Sequence, residues 1–325
     1  MKAITSLNKV QQEKQIQTAV RKSTRCIAQF ILQSYKNKQG LAQSNHRSDA
    51  RSALVVGING PQGSGKTTLV NELIYYLNKM KLRTVGFSLD DIYLTNQEQR
   101  QLAQTHPKNP LLQYRGQPGT HDVDLGRSTL CSLLDGTPTK IPGYDKSRYG
   151  GYGDRKPKYQ WTQVSEAPDI ILFEGWCLGF RSLDCSDFAR YLKNVHGSSQ
   201  LYKYSRKFDD DSLAQINRNL PEYEQKLYPL IDAWVSLRVD DLDVIYRWRK
   251  QQEDDLASQG KDCLSDRQLE DFVSRFMPLY EMALPKIDSL GFVSSGTQSK
   301  ALRLHLDVDR NMISYDHPNA TTAKL

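Results

Sequence analysis

The chain carries, at residues 60–67, Gly60-Pro61-Gln62-Gly63-Ser64-Gly65-Lys66-Thr67, which is a complete P-loop motif. The motif follows the apolar run Ala53-Leu54-Val55-Val56-Gly57-Ile58-Asn59, which is typical of a buried parallel strand. From Thr67 to about Met80, leucines recur four residues apart on one face, which predicts a helix. A strand, a glycine loop and a helix in this order predict a cradle for phosphate groups.

The loop residues predict how a nucleoside triphosphate is held. We expect backbone N–H groups to wrap the β-phosphate, Lys66 to reach the β- and γ-phosphates, and the Thr67 hydroxyl to ligate Mg²⁺. The glycines leave room where a Cβ would strike a phosphate. With ATP and Mg²⁺ as the expected cofactors, the predicted nucleotide contacts in this segment are Gly60, Pro61, Gln62, Gly63, Ser64, Gly65, Lys66, Thr67 and Thr68.

The composition is that of an ordinary globular chain. Its 325 residues suffice for one large α/β domain with insertions or for two small domains. No apolar run approaches membrane-spanning length, so we expect no membrane segment. The five cysteines are scattered and include no CxxC pair, which predicts free thiols in a reducing compartment such as the cytoplasm, and no zinc site.

The positive charge is concentrated near the N-terminus. Residues 1–48 carry nine Lys/Arg and one acid, an excess of eight, so the rest of a chain of net charge +7 is close to −1. A nearly neutral body argues against nucleic acid as a partner. A helix is predicted over about 11–37, and we interpret it as a helix packed on the core rather than as an organelle presequence. The polar residues 40–52 are typical of a linker.

Further apolar strands alternate with helices beyond the P-loop. Strands are predicted at 84–89, 169–173, 233–239 and 301–307, of which the last is expected to end the sheet. Helices are predicted near 125–134, 242–259 and 266–283, whereas residues 181–230 are polar and give no clear element. The alternation predicts an α/β fold with a doubly wound, mainly parallel sheet and helices on both faces. We expect an N-terminal helix and linker (1–50) and a P-loop domain (51–325).

Two acids stand at the carboxyl ends of predicted strands, where ligands bind in open α/β sheets. Asp90 follows the strand at 84–89, and Glu174 follows the strand at 169–173. Both also suit helix N-caps, but transfer of a phosphoryl group to an alcohol needs a carboxylate near the metal and a base near the acceptor. The sequence lacks the Asn-Lys-x-Asp motif of GTPases and the Leu-Ser-Gly-Gly-Gln signature of transporter ATPases. A small-molecule kinase is therefore the predicted class.

Several segments resemble known kinases. Ser88–Leu94 and Pro142–Ser147 resemble the Asp-x-Phe-Tyr element and the acceptor-side Pro-x-Tyr-Asp segment of the uridine kinase, phosphoribulokinase and pantothenate kinase superfamily. A narrower resemblance, to plant and cyanobacterial-type D-glycerate 3-kinases and their fungal kinase relatives, rests on Leu111–Asp122, Gly151–Arg155, Phe173–Phe180, Tyr246–Glu253 and Leu264–Tyr280. It runs from about Val55 to Asn311, but Ile92 replaces the usual Phe and residues 181–209 do not match.

The resemblance implies phosphoryl transfer from Mg·ATP to a hydroxyl of D-glycerate, giving 3-phosphoglycerate. By this resemblance, Asp90 is the expected base and Lys66 is expected to neutralise charge on the transferring group. Glu174 is expected to help position Mg²⁺. The expected metal ligands are Thr67, Glu174 and Asp90. The expected contacts to the small acid substrate are Arg115, His121, Tyr144 and Arg155.

The resemblance also implies a lid, with acceptor-site and lid insertions at about 105–160 and 242–260. Arg247 and Arg249 belong to this lid and are expected to bind the nucleotide. Because residues at i and i+2 do not share a helix face, we expect one of the two to reach the phosphates.

Two alternatives stay open at this point. The first is a kinase for a nucleoside, pantothenate or a sugar phosphate, since Tyr93, Tyr144 and Tyr152 offer rings on which a base stacks. The second is an ATP-regulated nucleic-acid-binding protein that uses the basic N-terminus. The sequence gives no prediction of the oligomeric state.

Overall fold

The structure is a computed structural model that describes residues 21–44, 53–197, 200–258, 260, 263–290, 292–294, 297–298, 300–317 and 323–324. The helices in these residues are α1 (Lys22–Ser44), α2 (Lys66–Lys79), α3 (Asn96–Thr105), α4 (Val123–Leu134), α5 (Cys185–His196), α6 (Asp210–Lys226), α7 (Val244–Ser258), α8 (Asp266–Ser274) and α9 (Met277–Leu290). The strands are β1 (Leu54–Asn59), β2 (Thr84–Ser88), β3 (Thr139–Ile141), β4 (Tyr144–Asp145), β5 (Asp154–Arg155), β6 (Thr162–Val164), β7 (Ile170–Gly175), β8 (Ala233–Arg238), β9 (Val293–Ser294), β10 (Thr297–Gln298), β11 (Lys300–Leu306), β12 (Met312–Asp316) and β13 (Ala323–Lys324).

A seven-stranded sheet forms the centre of the fold, in the order β13-β12-β11-β8-β1-β7-β2. The strands from β11 to β2 are parallel to one another, and β12 and β13 add an antiparallel edge. Every residue of β1 and β7 is buried, as their continuous apolar runs predicted. The predicted α/β fold with a mainly parallel sheet is confirmed.

Helices cover both faces of the sheet. On one face α1 and α2 pack against it through the fully buried Ile27, Ile31, Leu73 and Leu77. The opposite face carries a larger apolar cluster, to which the helices after β7 contribute. The packing of α1 agrees with the interpretation that the N-terminal helix is part of the core, and residues 11–20 of the predicted helix lie outside the described residues.

Three sequence predictions need correction. The linker predicted from residue 40 is wrong over 40–44, because α1 continues to Ser44. The polar region 181–230 contains α5 and α6, which the sequence reading missed. In α6 the buried Leu213, Ile216, Leu220 and Tyr223 do recur at helical spacing, within a sequence that is otherwise polar. The strand predicted at 301–307 does not end the sheet, since β12 and β13 follow it.

The register brings the ends of four strands to one edge of the sheet. Ser88 of β2 pairs with Glu174 of β7, and Asn59 of β1 pairs with Gly175 and with Ser236 of β8. The P-loop, the residues after β2 and Glu174 therefore lie side by side. This arrangement creates the site described next.

None of the described helices combines the length and apolar character that a bilayer crossing requires. All five cysteines are free thiols.

Candidate active site

The P-loop turns from β1 into α2 at this edge of the sheet. Gly63 takes a φ of 78°, in the left-handed region that glycine adopts without strain, and a Cβ there would come 2.7 Å from the Cβ of Trp248. Lys66 begins α2, and its Nζ donates to the carbonyls of Gly60 at 2.8 Å and Pro61 at 3.0 Å. The loop is thus closed by its own lysine, which lies in the position from which it meets a bound phosphate.

The remaining loop residues leave polar groups open to a ligand. Thr67 and Thr68 are exposed in the first turn of α2. Among the described residues, the Ser64 hydroxyl is buried without a hydrogen-bond partner, while the Gln62 backbone N–H donates to the Tyr280 hydroxyl at 3.1 Å. An unpartnered hydroxyl donor at a helix N-terminus is consistent with an anion site.

Thr67 and Glu174 form the part of the site that suits a metal ion. The Thr67 hydroxyl donates to Glu174 Oε1 at 2.9 Å, and Glu174 is 5% exposed. Burial lowers the pKa of Lys66, and the charge of Glu174 opposes that shift. A hydroxyl and a carboxylate are hard oxygen ligands of the kind Mg²⁺ takes together with substrate phosphates. No three His, Cys, Asp or Glu side chains cluster in the described residues.

Asp90 lies just beyond β2, in a 3₁₀ turn over Leu89–Ile92. Ser88 and Asp91 close this turn as a capping box, in which Asp91 Oδ2 accepts from the Ser88 N–H at 2.8 Å. Asp91 is therefore the acid that supports the backbone. The neighbouring Asp90 carboxylate is left for another role.

The Asp90 carboxylate has two partners. Its Oδ1 accepts from the Tyr93 hydroxyl at 2.9 Å, and its Oδ2 accepts from Lys146 Nζ at 2.5 Å. Burial by itself would raise the pKa of Asp90, but the charge and hydrogen bond of Lys146 and the Tyr93 hydroxyl outweigh it and hold that pKa well below its ordinary value. Sequence reasoning missed Lys146, although it lies in the segment 142–147 that resembled the acceptor side of the superfamily.

Aromatic rings form a wall beside Asp90. Tyr93 stacks on His121 with ring centroids 4.6 Å apart, and it meets the Tyr144 ring edge-on at 5.3 Å. The charge of Asp90 acts on the titration of both His121 and Tyr144. The two predicted substrate contacts His121 and Tyr144 therefore lie together with the predicted base.

His121 is a neutral hydrogen-bond donor in this wall. Burial lowers its pKa to about 3. Its Nδ1 lies 2.7 Å from the Tyr223 hydroxyl, which accepts from the Gly119 N–H at 3.0 Å. In the tautomer in which Tyr223 donates to Nδ1, the ring proton lies on Nε2. Within the part of the chain that the structure describes, His121 Nε2 and the Tyr144 hydroxyl are both buried without a partner, which indicates a place for a polar ligand.

The predicted arginine contacts are engaged elsewhere. Arg115 donates to the carbonyls of Gly151 at 2.7 Å and Tyr152 at 2.6 Å. Arg155 donates to the Tyr93 carbonyl at 3.0 Å and pairs with Asp122 at 3.0 Å. Arg155 lines a cavity of about 1100 Å³ whose walls include no P-loop residue, Asp90 or Glu174. The structure thus brings Lys66, Thr67, Glu174, Asp90, His121 and Tyr144 together. Arg115 also lies over the Tyr144 ring at 5.6 Å, and the substrate contacts of both arginines stay a prediction.

The two lid arginines lie on different faces of α7, as their spacing predicted. Arg247 pairs with Asp309 at 3.3 Å, and both side chains are exposed. Arg249 is largely buried and pairs with Glu253 at 3.0 Å. Burial lowers the pKa of Arg249, and the charges of Glu253 and Asp90 oppose that shift. Of the two arginines, Arg249 is therefore the one whose charge interacts with Asp90 in the site.

The C-terminal hairpin reaches the P-loop through Arg310, which the sequence did not reveal. Arg310 lies in the turn between β11 and β12, and its Nε donates to the Gly63 carbonyl at 2.6 Å. Its guanidinium covers the Trp248 ring at 5.0 Å, and the Trp248 indole N–H donates to the Val308 carbonyl at 2.7 Å. Arg310 is separated from Gly63 by 247 residues, so no local pattern marks this contact.

Comparison with known proteins adds a family to this geometry. Residues 55–192 match the phosphoribulokinase/uridine kinase family. The chain is 37% identical over 292 residues to the chloroplastic D-glycerate 3-kinase of Arabidopsis thaliana. The aligned residues cover 89% of this chain and 58% of that protein. It is 39% identical over 229 residues to the uncharacterized kinase mug58 of Schizosaccharomyces pombe. That alignment covers 70% of this chain and 79% of the fission yeast protein.

Solved structures of related proteins also include a D-glycerate 3-kinase. D-glycerate 3-kinase from Cryptococcus neoformans superposes with a TM-score of 0.81 at 32% identity, covering 92% of this chain and all of that chain. The structure of the YGR205w protein superposes with a TM-score of 0.70 at 28% identity, covering 90% of this chain and 98% of that one. The chain spans 58% of the length of the plant relative and nearly the whole of these two structures.

Proposed function

Because this chain belongs to the phosphoribulokinase/uridine kinase family, and within it to the group of D-glycerate 3-kinases and fungal kinases, we propose that it transfers the γ-phosphoryl group of ATP to D-glycerate. The product is 3-phosphoglycerate. The observation that carries the proposal is Asp90, a half-buried carboxylate whose charge acts on both the P-loop lysine Lys66 and the aromatic wall residue His121. A base in that position lies between the phosphate donor and the hydroxyl acceptor, where it can take the proton of the acceptor.

The proposed reaction is a single displacement. As the acceptor oxygen forms its bond to the γ-phosphorus, Asp90 takes the hydroxyl proton. The bond between the γ-phosphorus and the β–γ bridging oxygen breaks, and its electron pair leaves with ADP. His121 Nε2–H and the Tyr144 hydroxyl, the two buried groups without partners, hold the acceptor's oxygens. Lys66 neutralises charge on the group in transfer.

Thr67 and Glu174 are the residues that would hold Mg²⁺, which supplies positive charge to the phosphates when bound. We propose Asp90 as the base because its charge acts on His121 and Tyr144, which are proposed to hold the acceptor. Its role as a metal ligand stays a prediction. Arg249 is the lid residue proposed to close over the phosphates, which excludes water from the transfer.

The same proposal covers the organisation of the chain. We propose that residues 51–325 form the kinase domain, with the acceptor loops at about 105–160 and the lid at about 242–260. The free thiols support a reducing compartment. Within that class we propose the cytoplasm, or an organelle if residues 1–20 act as a presequence.

A coupled ADP-release assay tests the acceptor. The purified chain is given Mg·ATP with D-glycerate, L-glycerate, uridine, pantothenate or ribulose 5-phosphate, and the product is identified by NMR. We expect release with D-glycerate and a phosphate on its 3-oxygen. The Lys66→Ala variant serves as the control that removes a P-loop contact. Release with uridine and none with D-glycerate would instead support the nucleoside kinase alternative.

A further inference from the structure

The proposed acceptor is an anion, and its carboxylate needs a cation beside the proposed base. Arg115 donates to the carbonyls of Gly151 and Tyr152, and Arg155 donates to the Tyr93 carbonyl and pairs with Asp122. The Arg115 guanidinium also lies over the Tyr144 ring at 5.6 Å, whereas Lys146 contacts the Asp90 carboxylate itself. A buried carboxylate without a charged partner costs several kcal/mol, so the cation in contact with the proposed base is the candidate for this end of the ligand.

Lys146 is the cation that stands at the open side of Asp90. Its side chain is 59% exposed, whereas that of Asp90 is 29% exposed, so the ammonium lies between the carboxylate and solvent. An ammonium has three N–H donors, and Asp90 Oδ2 takes one of them within the described residues. Lys146 therefore has donors to spare for an incoming anion.

The loop that carries Lys146 is built to hold it in this place. Arg115 clasps the loop by its carbonyls at 146, 151 and 152, with distances of 3.5, 2.7 and 2.6 Å. Gly153 closes it at a φ of 78°, where a Cβ would come 2.5 Å from the Tyr144 ring and 3.0 Å from Arg115. The clasp positions the loop, and the loop places the ammonium on Asp90, whose other oxygen accepts from Tyr93, the ring that stacks on His121 and meets Tyr144 edge-on.

We infer that Lys146 receives the carboxylate of the acceptor and is drawn away from Asp90 in doing so, which frees the base as the substrate enters. This inference rests on the proposed function and adds the residue that selects an acid. A neutral alcohol has no charge with which to compete for the ammonium. It leaves Lys146 on Asp90 and the base occupied.

Four proteins separate this role from a structural one. They are the full-length wild type, Lys146→Met, which removes the charge at similar length, Lys146→Arg, which keeps it, and Lys156→Met as a matched control. Lys156 directly follows β5, the strand that pairs with β4 in the same insertion. Together with Arg155 it lines the separate cavity. For each protein, D-glycerate binding is measured by calorimetry with a non-hydrolysable ATP analogue, and KM and kcat are measured for both substrates.

We expect Lys146→Met to weaken D-glycerate binding and raise its KM by about 10- to 100-fold, the factor that a charge-assisted hydrogen bond carries. The KM for ATP should change much less than the KM for D-glycerate, because Lys146 donates to Asp90 and acts on Lys66 of the P-loop through its charge. Lys146→Arg should recover most of the affinity, and Lys156→Met should match the wild type. If Lys146→Met is unstable, Lys146→Gln removes the charge in its place and is compared with Lys146→Arg, which keeps it.

Other outcomes overturn the inference in distinguishable ways. D-glycerate affinity in Lys146→Met within twofold of the wild type refutes it, as does a fall in kcat with an unchanged KM, which marks support of Asp90 alone. A wild type that accepts another acid but not D-glycerate refutes the proposed acceptor, and the four proteins are then compared with that acid. A wild type that accepts neutral acceptors only refutes both.

Discussion

Removal of helix α1 is expected to unfold the sheet domain, because this helix supplies part of the core. Ile27 and Ile31 of α1 are fully buried and Ala28 is 1% exposed. Lys38 of the same helix donates to the Ala53 carbonyl and pairs with Asp232, at 2.7 Å in each case. The perturbation is a chain that begins at residue 47, compared with one that begins at residue 21 and keeps α1.

The magnitude follows from the buried side chains. Each buried isoleucine contributes about 1.5–3 kcal/mol, and the methyl group of Ala28 adds about 0.8 kcal/mol. The sum is about 4–7 kcal/mol, before counting the sheet residues that the missing helix would leave in water. Domains of this kind are stable by about 5–15 kcal/mol in total. Loss of α1 thus removes a large part of the free energy of unfolding.

Urea unfolding followed by circular dichroism measures the difference. We expect the chain beginning at 21 to match the full-length protein, and the chain beginning at 47 to be unfolded or to lose several kcal/mol. The single change Ile31→Ala should cost about 2–5 kcal/mol. A chain beginning at 47 that is within 1 kcal/mol of the full-length protein would refute the reasoning and favour a removable presequence.

Three further predictions concern the site. Asp90→Asn should lower kcat by about 10² or more and leave the affinity for ATP nearly unchanged, so steady-state kinetics with near wild-type turnover would remove Asp90 from the base role. Gly63→Ala should cost about 1–2 kcal/mol for its left-handed φ and weaken ATP further through contact with Trp248, and an ATP-analogue titration equal to the wild type would contradict this. Burial raises the pKa of Asp91 to about 6 from 3.8, so its stabilising contribution is present below about pH 4 and is lost as the pH rises through 6. Asp91→Asn should abolish this fall of about 1–3 kcal/mol in the free energy of unfolding, which is measured by urea unfolding between pH 4 and 8. An unchanged pH dependence in the variant would show that Asp91 is not the source of the fall.

The fold and the phosphate side of the site were predictable because their signals are local. The strand, loop and helix around Lys66 are contiguous in sequence, and a parallel sheet places the residues that follow neighbouring strands, such as Asp90 and Glu174, at one edge. Those predictions needed periodicity and one topological rule. The free thiols and the mainly parallel order followed from equally simple patterns.

The acceptor side was less predictable because its contacts join distant segments. Arg115 meets carbonyls 36 and 37 residues away, and Lys146 meets Asp90 across 56 residues. A sequence shows that an arginine is present but not that backbone carbonyls already occupy it. For the same reason, the motif that contains Lys146 was recognised while the lysine itself was not.

The contact of Arg310 with Gly63 has a consequence for synthesis of the protein. The phosphate loop leaves the ribosome early, but the guanidinium that binds its carbonyl is made 247 residues later. At about 5–20 residues per second, that separation corresponds to a delay of about 12–50 s. During this interval the nascent chain lacks the hydrogen bond from Arg310 to the Gly63 carbonyl, so this contact on the loop forms only once the C-terminal hairpin has been made.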